Sequence, residues 1–124
     1  MPKILAFVPD IFFQARISET AKRIQSTVVF TPSVDSFLSA AQSTGDAPSL
    51  LVVDLNGSEP GNPGAGLAAL ERVRAAGNQT PAVAFLSHVQ HELAARAAAF
   101  KDVEVMPRSK FTQDLATILS RVKS

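Results

Sequence analysis

The chain has 124 residues, a net charge of +1 from 12 lysines and arginines against 11 aspartates and glutamates, and no cysteine. Its length suits one domain, 1–124, with a single core. The balanced charge argues against a broad electrostatic grip on nucleic acid or an anionic membrane, and the lack of cysteine excludes disulfides, thiolate nucleophiles and sulfur-ligated zinc. No apolar segment has the length of a membrane span and the amino terminus lacks the layout of a secretion signal, so we expect a soluble cytoplasmic protein.

Short apolar runs alternate with segments of helical periodicity along the whole chain. In chain order, the predicted elements are a strand at 3–8, a helix at 12–25, a strand at 27–31, a helix that Ser33 caps and Gly45 ends, a strand at 50–54, a helix at 67–77, a strand at 81–86, a helix at 89–100, a strand at 103–106 and a last helix that Thr112 caps. Such alternation with short connections predicts a mainly parallel sheet with helices on both faces.

The third predicted strand is a run of four aliphatic residues that stops at Asp54. A continuous apolar run of this kind is typical of a strand buried on both faces in the middle of a parallel sheet. Ligands of open α/β sheets bind at the carboxyl ends of such strands, so Asp54 is the first candidate for a functional residue.

This five-fold β-α pattern resembles, over the whole chain, the receiver domain of bacterial response regulators. The match is clearest at 52–56, Val-Val-Asp-Leu-Asn, which is followed by a loop rich in proline and glycine. The resemblance implies a flavodoxin-like α/β fold of three layers, in which a doubly wound, five-stranded parallel sheet has the strand order 2-1-3-4-5. It also implies a role in a two-component phosphorelay.

The resemblance further implies roles for six candidate residues. Asp54 would accept a phosphoryl group from a histidine kinase, and Ser87 would hydrogen-bond the phosphoryl oxygen as a switch hydroxyl. Asp10, Asp54 and the main-chain carbonyl of Asn56 would be the Mg²⁺ ligands, and Arg108 or Lys110 would supply the positive charge.

Three departures from the family pattern indicate a degenerate site. Val8 and Pro9 align where the family places adjacent acidic residues, which leaves Asp10 one position further on. Met106 occupies the place of the family's lysine, and the loop at 57–66 is longer than usual. Because Mg²⁺ demands near-octahedral geometry from well-placed oxygens, we expect it to be held weakly or not at all.

Each candidate also has a structural interpretation. Asp54 can simply end a strand and cap a turn, Asp10 and Ser87 can cap the helices that follow them, and Arg108 and Lys110 can be solvated charges. For Asp10 we favour the cap.

Two other patterns are candidate binding sites. His88 and His91 form a His-x-x-His pair that, with Asp10 and Asp54, suggests a transition-metal site only weakly. The glycines between 57 and 66 match neither the dinucleotide-binding nor the Walker pattern.

The sequence therefore predicts a stand-alone receiver-like signalling domain, a pseudo-receiver rather than an enzyme. It would act by protein-protein interaction, with phosphorylation at Asp54 impaired or absent. The partner, a histidine kinase or an output protein, is expected at the fourth helix and fifth strand, with no direct contact to nucleic acid or membrane. One alternative is a receiver that is phosphorylated and switched at Asp54. A second is a small flavodoxin-like cofactor-binding protein, which would carry bound flavin colour.

Overall fold

A computed structural model describes residues 3–43, 47–87 and 90–121. Its elements follow the predicted alternation. They are β1 (Lys3–Phe7), α1 (Ile11–Arg23), β2 (Thr27–Phe30), α2 (Val34–Ala41), β3 (Leu50–Asp54), α3 (Ala65–Ala75), β4 (Ala82–Leu86), α4 (His91–Ala98), β5 (Val103–Pro107), α5 (Arg108–Gln113) and α6 (Leu115–Leu119).

The five strands form one parallel sheet in the order β2-β1-β3-β4-β5, which confirms the predicted fold class and strand order. In the register of the sheet, Asp54 lies opposite Phe85, and Leu86 lies opposite Pro107. The residues that follow these strands therefore meet at one edge of the sheet, which we call the carboxyl edge.

Apolar side chains fill both faces of the sheet and form two clusters. Leu51 and Val53 of β3 belong to the cluster under α2 and α3, whereas Leu50 and Val52 belong to the cluster under α1, α5 and α6. Because both faces of β3 are covered, all five of its residues are buried and its sequence shows no polar alternation.

The first two helices begin where the sequence predicts. Asp10 caps α1 by accepting hydrogen bonds from the backbone N-H groups of Phe12 (2.9 Å) and Phe13 (3.2 Å). Ser33 caps α2 in a reciprocal arrangement with Ser36. The predicted helix end at Gly45 lies outside the described residues.

The last helix differs from the prediction. Thr112 is not an N-cap but an internal residue of α5, and its hydroxyl donates to the carbonyl of Arg108 (2.9 Å). The chain enters α5 directly from Pro107, whose φ of −63° suits the residue before a helix. A break at Asp114 then separates α5 from α6.

Within the described ranges, the structure contains no helix of the length and apolarity that a membrane span requires.

Candidate functional site

Asp54 lies at the carboxyl edge as the last residue of β3, with 6% of its surface exposed. Burial raises the pKa of this carboxyl because the charged form loses its hydration. The backbone N-H of Asn56, which donates to Oδ1 at 2.9 Å, and the charge of Arg108 oppose that rise, whereas the charge of Asp10 adds to it. Asp54, Asp10 and Arg108 therefore belong to one electrostatic cluster.

The backbone at Asp54 is held by close contact with the start of α3. A Cβ atom added at Gly66 would lie 2.1 Å from the carbonyl oxygen of Asp54, so only glycine allows this approach. The same carbonyl accepts a hydrogen bond from the N-H of Gly57 (2.9 Å). The position of Asp54 is thus fixed by two glycines of the following loop and helix.

Asp10 has both carboxylate oxygens engaged. Oδ1 accepts the two α1 amides described above, and Oδ2 lies 3.3 Å from a terminal nitrogen of Arg108. These interactions lower the pKa of Asp10, with the N-H of Phe13 as the largest cause and the hydrogen bond from Arg108 next. The predicted capping role of Asp10 is confirmed, and an ion pair is added to it.

Arg108 is positioned by the aromatic ring beneath it. Its guanidinium carbon lies 4.1 Å from the centre of the Phe13 ring, a cation-π contact. Phe13 packs edge-on against Phe85 (5.3 Å between ring centres) and Phe111 (5.9 Å), which stack on each other at 4.5 Å. This phenylalanine cluster connects the exposed edge to the core.

The other candidate cation points elsewhere. The ammonium of Lys110 lies 3.2 Å from Asp114, one turn further along the chain. Met106, at the expected position of the family's lysine, is 4% exposed and belongs to the core. Of the two candidate cations, it is therefore Arg108 that pairs with a carboxylate of the carboxyl edge, that of Asp10.

Asn56 connects the ends of β3 and β4 through its side chain. Its Oδ1 accepts from the backbone N-H of Ser87 (2.5 Å), and its Nδ2 donates to Oε1 of Gln90 (2.6 Å). Ser87 itself is exposed at the carboxyl edge. The alternative that Ser87 caps the fourth helix is wrong, because the N-cap of α4 is Gln90. No sequence pattern predicted a role for Gln90, because only the fold brings it beside Asn56.

The long loop after β3 is attached to α2. Glu59 accepts a hydrogen bond from the N-H of Val34 at the start of that helix (2.9 Å). Glu59 and Asn62 also exchange two backbone hydrogen bonds within the loop. The extra length of the loop thus adds a second side-chain acceptor at the N-terminus of α2.

The predicted histidine pair gains no support. His88 lies outside the described residues, and His91 is the exposed first residue of α4. Across the described ranges, no three or more histidine, aspartate or glutamate side chains cluster as metal ligands would.

At the carboxyl edge, hydrogen bonds within the protein already engage the oxygens of Asp10 that a metal ion would use. Asp10 accepts three hydrogen bonds with its two oxygens, and one of the donors is a guanidinium. Val8, at one of the two positions where the family places acids, is completely buried. A small dication that needs several hydrated oxygen ligands would have to displace Arg108 from Asp10.

The architecture defines the class of fold: the chain has the fold of response regulator receiver domains. It is similar to Vibrio cholerae chemotaxis protein CheY4, with a TM-score of 0.78 and 19% identity over 99% of each chain. It is also similar to the receiver domain of the Francisella response regulator 1452 (TM-score 0.77, 14% identity, 98% of this chain and 95% of the other). A third similar structure is the phosphorylated cyanobacterial phytochrome response regulator RcpA (TM-score 0.75, 15% identity, 97% and 89%). No family model matches the chain, and no curated protein matches it significantly in sequence.

Proposed function

We propose that this chain is a receiver-like signalling domain of a two-component system that acts by protein-protein interaction. In this proposal it is not an enzyme, and Mg²⁺-dependent phosphorylation at Asp54 is impaired or absent. The observation that carries the proposal is the engagement of both oxygens of Asp10 by α1 amides and Arg108. Phosphoryl transfer to a carboxylate depends on a metal that neutralises charge, and across the described residues no three histidine, aspartate or glutamate side chains cluster as metal ligands would.

For the partner we propose the surface between α4 and β5. An apolar cleft of about 230 Å³ opens there, with Leu86, Ala94 and Val105 among its lining residues. A few exposed polar groups, including Ser87 and Gln90, border it. A shallow apolar cleft with a polar rim is typical of protein-protein contacts, and it begins beside the carboxyl edge. A kinase or an output protein is the class of partner expected for this fold.

The first experiment tests phosphorylation. ¹⁵N-labelled protein is titrated with Mg²⁺ and then with beryllofluoride, a phosphoryl mimic, and the amides near Asp54 are followed by NMR. We expect no saturable shifts in the wild type or in Asp54→Ala. Saturable shifts in the wild type that vanish in Asp54→Ala would replace this proposal with the phospho-accepting receiver, which the buried position of Asp54 at the end of β3 also favours.

The second experiment tests the partner surface. A photo-cross-linking residue is placed at Ala94, which lines the cleft, or at the exposed Ser18 on α1 as a control. We expect the Ala94 variant to cross-link a kinase or output protein, identified by mass spectrometry, and Asp54→Ala to leave that yield unchanged. Cross-linking from Ser18 alone would contradict the α4-β5 assignment. Loss of the cross-link in Asp54→Ala would contradict an interaction that needs no phosphorylation.

A further inference from the structure

Among the described residues at the carboxyl edge, Arg108 is the cation that pairs with the carboxylate of Asp10. It is the first residue of α5, directly after β5, and its terminal nitrogen lies 3.3 Å from Oδ2 of Asp10. Its charge also acts on the buried carboxyl of Asp54. Both acidic side chains of this cluster are therefore in the field of one guanidinium.

The guanidinium is held by packing as well as by charge. It stacks on Phe13, and Phe13 is fixed in turn by Phe85 and Phe111. Its side chain is one-third exposed, so it combines access to solvent with a defined orientation. A planar guanidinium on an aromatic ring loses less freedom than a lysine ammonium would. The positive charge at this edge therefore has a defined position beside Asp10.

A dication approaching Asp10 meets two obstacles. Oδ1 already accepts two backbone N-H groups at the start of α1, and Oδ2 is paired with Arg108. The guanidinium also repels a second positive charge that comes within a few ångströms, at a partly exposed site where screening is incomplete. Removing Arg108 would abolish the repulsion and free Oδ2 of Asp10, while the helix cap at Oδ1 remained intact.

We infer that Arg108 takes the place of a divalent cation at the carboxyl edge and excludes Mg²⁺ and Mn²⁺ by pairing with Asp10 over the ring of Phe13. The inference deepens the proposed function, on which it rests, by naming the residue that makes the domain independent of metal. Arg108 acts here as a specificity-determining residue.

The test measures metal binding and not phosphorylation. Mn²⁺ is titrated into ¹⁵N-labelled wild type, Arg108→Ala, Arg108→Gln and Lys110→Ala, and paramagnetic broadening of the amides around residues 10 and 54 is followed. Lys110→Ala is the matched control, because it removes the same charge two positions along the same helix from a side chain paired with Asp114. We expect apparent Mn²⁺ affinity to rise about tenfold or more in both Arg108 variants and to change less than about twofold in Lys110→Ala. Mg²⁺ should protect the Arg108 variants from this broadening by competition.

The double variant Asp10→Asn/Arg108→Ala shows which ligand is involved. Asparagine keeps the helix cap but removes the charge, so we expect the gained affinity to be lost. Saturable Mn²⁺ binding by the wild type, or no gain in folded Arg108 variants, would overturn the inference. A gain that survives in the double variant would overturn it as well. If the Arg108 variants gain no Mn²⁺ affinity and the wild type shows no amide shifts with beryllofluoride, the inference is refuted but the proposed function stands.

Discussion

Arg74 is a buried arginine whose loss should destabilise the fold strongly. It lies near the end of α3 with 8% of its surface exposed, and its guanidinium donates to backbone carbonyls of two loops. The bonds to Thr80 (2.7 Å) and Asn78 (2.9 Å) are short, and those to Lys101 (3.2 Å) and Asp102 (3.5 Å) are longer. Burial lowers the pKa of Arg74, but an arginine remains charged at neutral pH. The side chain therefore ties the loops that precede β4 and β5 to α3.

The two short bonds set the expected magnitude. A hydrogen bond to a charged group contributes about 1.5 kcal/mol at the lower end of its range, so Arg74→Met should lower the free energy of unfolding by about 3 kcal/mol. At a urea m-value of about 1.5 kcal/mol/M, the unfolding midpoint would fall by about 2 M. Methionine keeps most of the aliphatic volume, so the loss reports the hydrogen bonds.

The control for this prediction is Arg72→Met on the same helix. Arg72 is half-exposed and pairs with the exposed Asp35 at 3.2 Å, so its removal should cost less than about 1 kcal/mol. Urea unfolding of both variants, followed by circular dichroism, checks the difference. If Arg74→Met costs no more than Arg72→Met, the loops are not held by the guanidinium and the reasoning is wrong.

Three further predictions concern the carboxyl edge and its neighbours. Burial raises the pKa of Asp54 in the folded protein, so its contribution to stability is complete below its ordinary pKa and is lost as pH rises through the raised value. Asp54→Asn should therefore be more stable than wild type at pH 7. A stability difference between the two proteins that does not vary with pH in urea unfolding would refute this. Gly66→Ala should cost more than about 2 kcal/mol because its Cβ would collide with the backbone of β3. Gly64→Ala, with its nearest neighbour at 4.0 Å, should cost less than about 1 kcal/mol in thermal unfolding, because Gly64 is the N-cap of α3 and alanine is a poorer cap residue than glycine. Ile11 and Phe12 are 68% and 84% exposed, so replacing both with serine should leave the unfolding midpoint nearly unchanged, and a large loss would mean that they pack in solution.

Alternation of buried strands and amphipathic helices was enough to predict the sheet, because a parallel sheet covered on both faces requires uninterrupted apolar runs. The run that ends at Asp54 is a clear case, since every residue of β3 is buried. The N-cap at Asp10 was predictable for a similar reason, as a carboxylate just before an apolar helical pattern has a local partner in the next amides. Thr112 has the same local character but lies inside α5, because the backbone enters the helix at once after Pro107.

The choice between Arg108 and Lys110 depended on that helix start. In an α-helix, residues two positions apart point about 200° away from each other, so only one of the two can face the carboxylates. With a helix expected to begin at Thr112, both residues lay in a loop and their directions were undefined. The ring under Arg108 belongs to Phe13, in a helix nearly a hundred residues earlier in the chain. No local sequence pattern could therefore predict this contact.

Phe13 links the packing of the core to the position of the charge of Arg108, two features that lie far apart in the sequence. One side of its ring belongs to the core cluster with Phe85 and Phe111, and the guanidinium of Arg108 lies over it. The orientation of the charge at the carboxyl edge is therefore set by core packing, which is dense and tolerates little movement. A divalent cation would have to work against that packing as well as against the ion pair with Asp10. The same hydrophobic layer that stabilises the receiver fold thus also holds a guanidinium beside Asp10, one of the residues to which the family resemblance assigns Mg²⁺.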